Sequence, residues 1–279
     1  MATPITSGHR RAAVRTGIFY VLVLIAMVPF VFPLYWMLAS AFKPATLISA
    51  NPPVFWWKPT LANFTTVFDK VGFGGYAIHS LVIALGATLV SLALGLPAAY
   101  SIARYKQYWL ATSILVVRIL PGIAFLIPWY IFFNRAHLLG HYASVIVVHM
   151  VGTLPLTIWI MVSFFEDVPS ELSDAALIDG CTVFGVFWRI AIPIVRPGVM
   201  VAAIFAFNFS WNNFISSSLI GGIKLKTLPV IAYNMKGEYS LNWGGVMAAA
   251  TIIILPMLVF TLLVQKHIVR GLSFGALKG

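Results

Sequence analysis

The chain has 279 residues, 61% of them hydrophobic and only 9% charged, with a formal net charge of +11. Soluble domains are about 45–50% apolar and about 25% charged, so this composition excludes a protein whose whole surface meets water and makes lipid the solvent. The 18 Lys and Arg are scattered in ones and twos between apolar runs, without the basic face that a nucleic-acid partner requires.

Six apolar runs follow one another, the number this length allows at roughly 20 residues per spanning helix. A basic N-terminus with Arg10, Arg11 and Arg15 leads into the first run, residues 18–42. Ala39-Ser40-Ala41 resembles a signal-peptide cleavage site, but the run exceeds the h-region of about 7–15 residues and is read as a retained first helix. Residues 43–75 are an extramembrane loop, because Asn51, Pro52, Pro53, Pro59, Gly72, Gly74 and Gly75 break helices. Trp56 and Trp57 suit a membrane–water interface. The remaining runs are 76–103, 108–133, 142–165, 197–217 and 244–266. The organisation expected is residues 1–75 (tail, first helix, external loop), a core at 76–266 and a C-terminal tail at 267–279.

Six spans place both termini on one side. Ten Lys or Arg fall on that side and seven on the other, with Arg118 inside a span. The ten sit in shorter segments, which makes the terminal side cytoplasmic. Pro29, Pro33, Pro97, Pro121, Pro128, Pro155 and Pro256 interrupt the runs, as lipid tolerates where neighbours meet the freed carbonyls. Ala84, Gly86, Ala87 and Ala248–Ala250 permit close helix packing.

The acids are concentrated. Of seven, Glu166, Asp167, Glu171, Asp174 and Asp179 lie in one segment, 166–198. Ser170 is expected to cap a helix over 171–179, with acids in its first turn suiting the dipole and Gly180 taking a left-handed cap. Thr182 is expected to cap a second helix over 183–190, ended by Pro193. Leu172, Ala175, Ala176, Ile178, Phe184, Phe187 and Trp188 give this helix–turn–helix more apolar surface than a loop needs, so it wants a partner.

The same segment resembles the cytoplasmic signature of binding-protein-dependent ABC importer permeases: Glu-Ala-Ala, three residues, Gly, nine residues, Ile, one residue, Leu, Pro. Here the positions are Asp174-Ala175-Ala176, Gly180, Ile190, Ile192 and Pro193. Asp174 replaces the family's Glu, one methylene shorter, so a salt bridge made there is altered. Thr227-Leu228-Pro229-Val230, Ser210-Trp211-Asn212-Asn213-Phe214 and the ending Arg270 to Gly279 resemble the carbohydrate branch, and within it the shorter permease of the maltose type. The resemblance implies an all-α integral membrane protein with the six-helix type I ABC importer permease fold in a bacterial plasma membrane, both termini cytoplasmic. It implies a second permease subunit, two cytoplasmic ATPases carrying ATP and Mg, and an extracytoplasmic sugar-binding protein. Docking falls to Glu171, Asp174, Ala175, Ala176, Asp179, Gly180, Arg189 and Pro193: the small Ala175, Ala176 and Gly180 allow close approach to the ATPase, and Arg189 with the local acids lends polar contacts.

Asn208, Trp211, Asn212 and Asn213 crowd the fifth run. Amides can bond sugar hydroxyls and an aromatic ring can lie against a sugar face, or the same groups can bond between helices. Arg118, a charge within a span, either meets the solute or pairs with the partner permease. His137 and His141 have a helical metal spacing, but Gly140 between them and the lack of a nearby carboxylate argue against a metal. His79 and His149 are read as packed, and Cys181, the single cysteine, as a small apolar residue. No phosphate-binding loop, Gly-x-Ser-x-Gly or His-Glu-x-x-His occurs, so no catalytic residue, metal or cofactor is expected in this chain and the energy comes from a partner. An importer of another solute shares these features. An ion-coupled secondary transporter would show acids within its spans, and these spans have none. A membrane-embedded enzyme would need a nucleophile or metal constellation.

Overall fold

The computed structural model describes the backbone of residues 6–117, 122–235 and 242–276, and the side chains of 15–116, 122–235 and 242–262. Every regular element among them is helical. In chain order they are α1 (Thr6–Ala41), α2 (Ala45–Ile48), α3 (Ala62–Thr65) with a π turn Thr66–Lys70, α4 (Phe73–Arg104), α5 (Tyr108–Val117), α6 (Gly122–Arg135) and α7 (Tyr142–Glu166). Then come α8 (Ser170–Ile178), α9 (Val183–Val186), a π turn Phe187–Ala191, α10 (Ile192–Ile194), α11 (Arg196–Trp211), α12 (Ile215–Gly221), α13 (Leu228–Asn234) and α14 (Trp243–Ala276).

The chain forms two compact units, residues 1–70 with 236–251, and residues 71–235 with 252–279. In the first, the loop after α1 folds over the end of that helix. Lys43 is 1% exposed; its Nζ donates to the Val54 carbonyl at 2.8 Å and lies 4.7 Å from the Trp36 ring and 4.3 Å from that of Trp57. Asn63 Nδ2 donates to the Ala41 and Lys43 carbonyls, and Trp57 Nε1 to that of Phe42. The terminal carbonyl of α1, which no helical N–H can reach, and the two that follow it are thereby satisfied. Of the two interface tryptophans, Trp57 covers Lys43 and Trp56 is exposed.

In the second unit α4, α7 and α11 pack together. Leu96, Ala99, Ile102, Ile158, Met161, Phe165 and Ala202 form one buried cluster; Ile83, Leu126, Phe133, Val145 and Ile220 form another, which brings in α6 and α12. Small residues set the approach: a methyl group at Gly86 would lie 2.6 Å from Ile146, and one at Gly198 would enter the Phe164 ring. With no hydrophobic drive between helices in lipid, such contact packing holds them together.

Among the described residues four helices are long and apolar enough to cross a membrane: Arg15–Ala41, Phe73–Arg104, Tyr142–Glu166 and Trp243–Leu262. A fifth crossing is formed if Val183–Ile194 and Arg196–Trp211, bent by 81°, count as one. The protein is a multi-pass membrane protein, and among the described residues the fifth apolar run is not one continuous helix. The third run is α5 and α6, flanking 118–121, and Arg118 and Pro121 lie outside the described residues. The fifth run breaks between α11 and α12 at residues 212–214. The 16 residues of α11 rise only about 24 Å, short of the roughly 30 Å hydrocarbon core. Gly74 and Gly75 do not break a helix either; they stand in the first turn of α4, behind Gly72 at φ +70°.

Candidate functional site

The 166–198 segment is built largely by local rules. Helix α8 starts one residue earlier than expected: Pro169 holds the N-cap position, Ser170 is already helical, and no side chain caps it. Its other end closes as the sequence predicts. Gly180 adopts φ +87°, its N–H donates to the Leu177 carbonyl at 3.1 Å, and the Cys181 N–H donates to the Ala176 carbonyl at 2.9 Å, the paired bonds of a Schellman cap. Thr182 Oγ1 accepts from the Gly185 N–H at 3.1 Å and starts α9. Pro193 does not stop the chain as a helix. The widened turn Phe187–Ala191 lies just upstream, the kind of bulge that accommodates a lost N–H, and helical backbone continues to Ile194 before the 81° bend into α11.

This segment is fixed on one side and open on the other. Phe187 is buried, its ring 5.2 Å from Tyr100 on α4 and 6.2 Å from Phe165 on α7; Ala191 and Val195 are buried below it. Arg104 Nη2, at the end of α4, stands 3.7 Å from Asp174 Oδ1. Outward point Ile178, 87% exposed, Phe184, 70% exposed, and half-exposed Leu172, Val183 and Trp188. Phe184 and Trp188 meet edge to face at 6.1 Å.

The second feature is a cavity of about 1240 Å³ bounded by α6, α7, the end of α11 and the start of α12. Phe125, Trp129 and Phe132 line it from α6; Val148, Val151, Gly152 and Pro155 from α7; Asn208, Phe209, Asn212, Asn213 and Ser216 from the break. Asn212 Nδ2 donates to Asn208 Oδ1 at 2.6 Å and to the Asn208 carbonyl at 3.0 Å, and Asn213 Oδ1 accepts from the Ser216 N–H at 3.1 Å. An amide ladder thus faces an aromatic wall.

The family model of the binding-protein-dependent transport system inner membrane component matches residues 91–274, from within α4 to near the end of α14. The chain belongs to this family. It is therefore the non-catalytic membrane subunit of a transporter whose ATPase and substrate-binding protein are separate chains. It is similar to the probable ABC transporter permease protein y4oR of Sinorhizobium fredii, 34% identical over 251 residues covering 89% of this chain and 91% of that one. It is 31% identical to the sulfoquinovosyl glycerol transport system permease protein SmoH of Agrobacterium fabrum, over 91% of each. The trehalose/maltose transport system permease protein MalG of Thermococcus litoralis is 30% identical over 89% of this chain and 91% of its own length. The fold matches a chain from the crystal structure of a bacterial ABC transporter involved in the import of the acidic polysaccharide alginate, with TM-score 0.75, 17% identity, and 95% and 99% of the two chains covered.

On this permease the residues singled out by the sequence part company. Ala175, Asp179, Gly180, Glu171, Arg189 and Pro193 are exposed on the segment. Ala176 is 7% exposed, so its small side chain packs within its own chain, beneath the exposed face of α8. Asp174 is already engaged by Arg104. Asn208, Asn212 and Asn213 gather at the cavity. Trp211 does not: it is 5% exposed, donates from Nε1 to the Ile253 carbonyl at 3.0 Å and stacks on Phe207 at 5.4 Å. The indole next to Asn212 is thus spent on anchoring α11 to α14. The aromatic faces of the cavity come instead from Trp129, Phe132 and Phe209, none of which was singled out from the sequence. His149 is fully buried between Ser210 and Ser217.

Proposed function

We propose that this permease imports a sugar, pairing with a second permease, docking one of two cytoplasmic ATPases through residues 170–194, and receiving solute from an external binding protein. Both termini then lie in the cytoplasm. The observation that carries the docking role is the mounting of the segment: an aromatic anchor beneath Phe187 and an unpartnered apolar face at Ile178, Phe184 and Trp188 above it. A face of that kind fits the groove of a partner, and its anchorage to α4 and α7 lets a displacement at the ATPase move the spans as rigid bodies. The sugar assignment rests on the cavity, where amides that bond hydroxyls oppose rings that cover the apolar faces of a pyranose. The relatives named for trehalose/maltose and sulfoquinovosyl glycerol transport agree with it.

The test is uptake of radiolabelled trehalose and maltose by cells carrying the complete transporter. ATP-driven import predicts that depleting ATP stops uptake while an uncoupler that leaves ATP high does not. Uptake that follows the proton gradient instead would replace this reading with a secondary transporter.

A further inference from the structure

The break between α11 and α12 is held from behind. Residues 212–216 line the cavity, whereas Ser210 and Trp211 just before them and Ser217 just after them do not. His149, on α7, reaches both edges of the break: Nδ1 lies 2.7 Å from Ser210 Oγ at the end of α11, and Nε2 lies 3.2 Å from Ser217 Oγ in α12. A neutral imidazole offers one N–H and one lone pair, and each hydroxyl can supply the complementary group. Both ring nitrogens are therefore used, and the imidazole spans a gap that backbone bonding does not close. Val148 and Gly152, beside it on the same helix, line the cavity. Trp211 adds the third tie, to the Ile253 carbonyl.

We infer that His149 is a positioning residue for the solute: by bridging Ser210 and Ser217 it fixes the broken span so that the amides of Asn212 and Asn213 face a sugar's hydroxyls across from Trp129. This rests on the sugar-import reading above. A fully buried polar side chain is costly unless both its ends are bonded, and here the bonds run to the two lips of the site rather than along one helix. An apolar residue would have filled the same space; the imidazole adds a defined separation between α11 and α12. Losing the bridge leaves Ser210 and Ser217 free to draw the lips into other hydrogen bonds and turns the amides from the cavity.

The experiment uses the complete transporter with its own ATPases and binding protein in proteoliposomes. The probe is radiolabelled trehalose or maltose, whichever the unaltered transporter moves faster, and the readout is sugar moved per ATP hydrolysed. His149→Leu is expected to keep ATP hydrolysis stimulated by the loaded binding protein while sugar moved per ATP falls about five- to tenfold, the usual effect of removing one buried hydrogen-bonding partner. Asn212→Ala should give a similar loss that does not add to that of His149→Leu. His149→Gln, which retains a group near Nε2, should recover part of it. Where His149→Leu fails to reach the membrane, the near-isosteric pair Ser210→Ala with Ser217→Ala carries the same expectation. An unchanged ratio, or hydrolysis and uptake falling together in proportion, overturns the inference while leaving ATP-driven sugar import intact. Uptake of neither sugar by the unaltered transporter sinks the sugar reading and this inference with it.

Discussion

Three residues of the 166–198 segment illustrate how unequal neighbouring interactions are. Thr182 receives the Gly185 N–H, and losing such a cap costs about 1 kcal/mol. Gly180 sits at φ +87° with nothing near its would-be Cβ, so Gly180→Ala is penalised by backbone conformation alone, about 1–2 kcal/mol. The Arg104–Asp174 pair, long at 3.7 Å with Asp174 exposed, is worth about 0–1 kcal/mol after solvent screening. Thermal melts in detergent should therefore rank Gly180→Ala and Thr182→Ala as clearly destabilising and Asp174→Asn as near neutral. A large loss from Asp174→Asn would mean that the ion pair carries the segment.

Between elements, burial separates anchoring from the proposed docking on a single turn. Phe187 and Phe184 are three residues apart, one beneath the segment and one on top. Truncating a buried phenylalanine costs about 3–5 kcal/mol, so Phe187→Ala should lower the melting temperature strongly, whereas Phe184→Ala should leave it almost unchanged and still impair uptake. Equal effects on stability would contradict the two-sided mounting. The caps at Gly180 and Thr182 were legible in sequence because capping is a contact among residues a few positions apart. What Pro193 does was not, since the bulge that accommodates it depends on how the chain packs on α7. The α11–α12 break was hidden for a similar reason: Asn212 and Asn213 stand in an apolar run that hydropathy alone joins into one span. Asn208, Asn212 and Asn213 were recognisable as a polar cluster, but the wall of Phe125, Trp129 and Phe132 opposite them is a tertiary juxtaposition, and so is the inward turn of Trp211.

At the scale of the molecule, composition established the membrane and the number of apolar runs, while the way each run crosses is set by packing and, in the fifth run, by the break at 212–214. Sidedness gives a prediction that needs no partner. Cys181 is the single cysteine, partly exposed and free, on the segment assigned to the cytoplasm. A membrane-impermeant maleimide should leave it unlabelled in intact spheroplasts and label it in inside-out vesicles; Trp56→Cys in a Cys181→Ala background should do the reverse. Labelling of Cys181 from outside would invert the topology and remove the docking role.

Whether residues 170–194 hold an ATPase is decided by co-purification. The chain is extracted from its native membrane in mild detergent, unaltered and as the double variant Ile178→Glu with Phe184→Glu. Both substitutions sit on the exposed face, where the fold does not depend on them. The unaltered permease is expected to bring down an ATPase and a second permease, and the variant, present at the same level in the membrane, to keep the second permease and lose the ATPase. An ATPase retained in full by the variant would contradict the docking role.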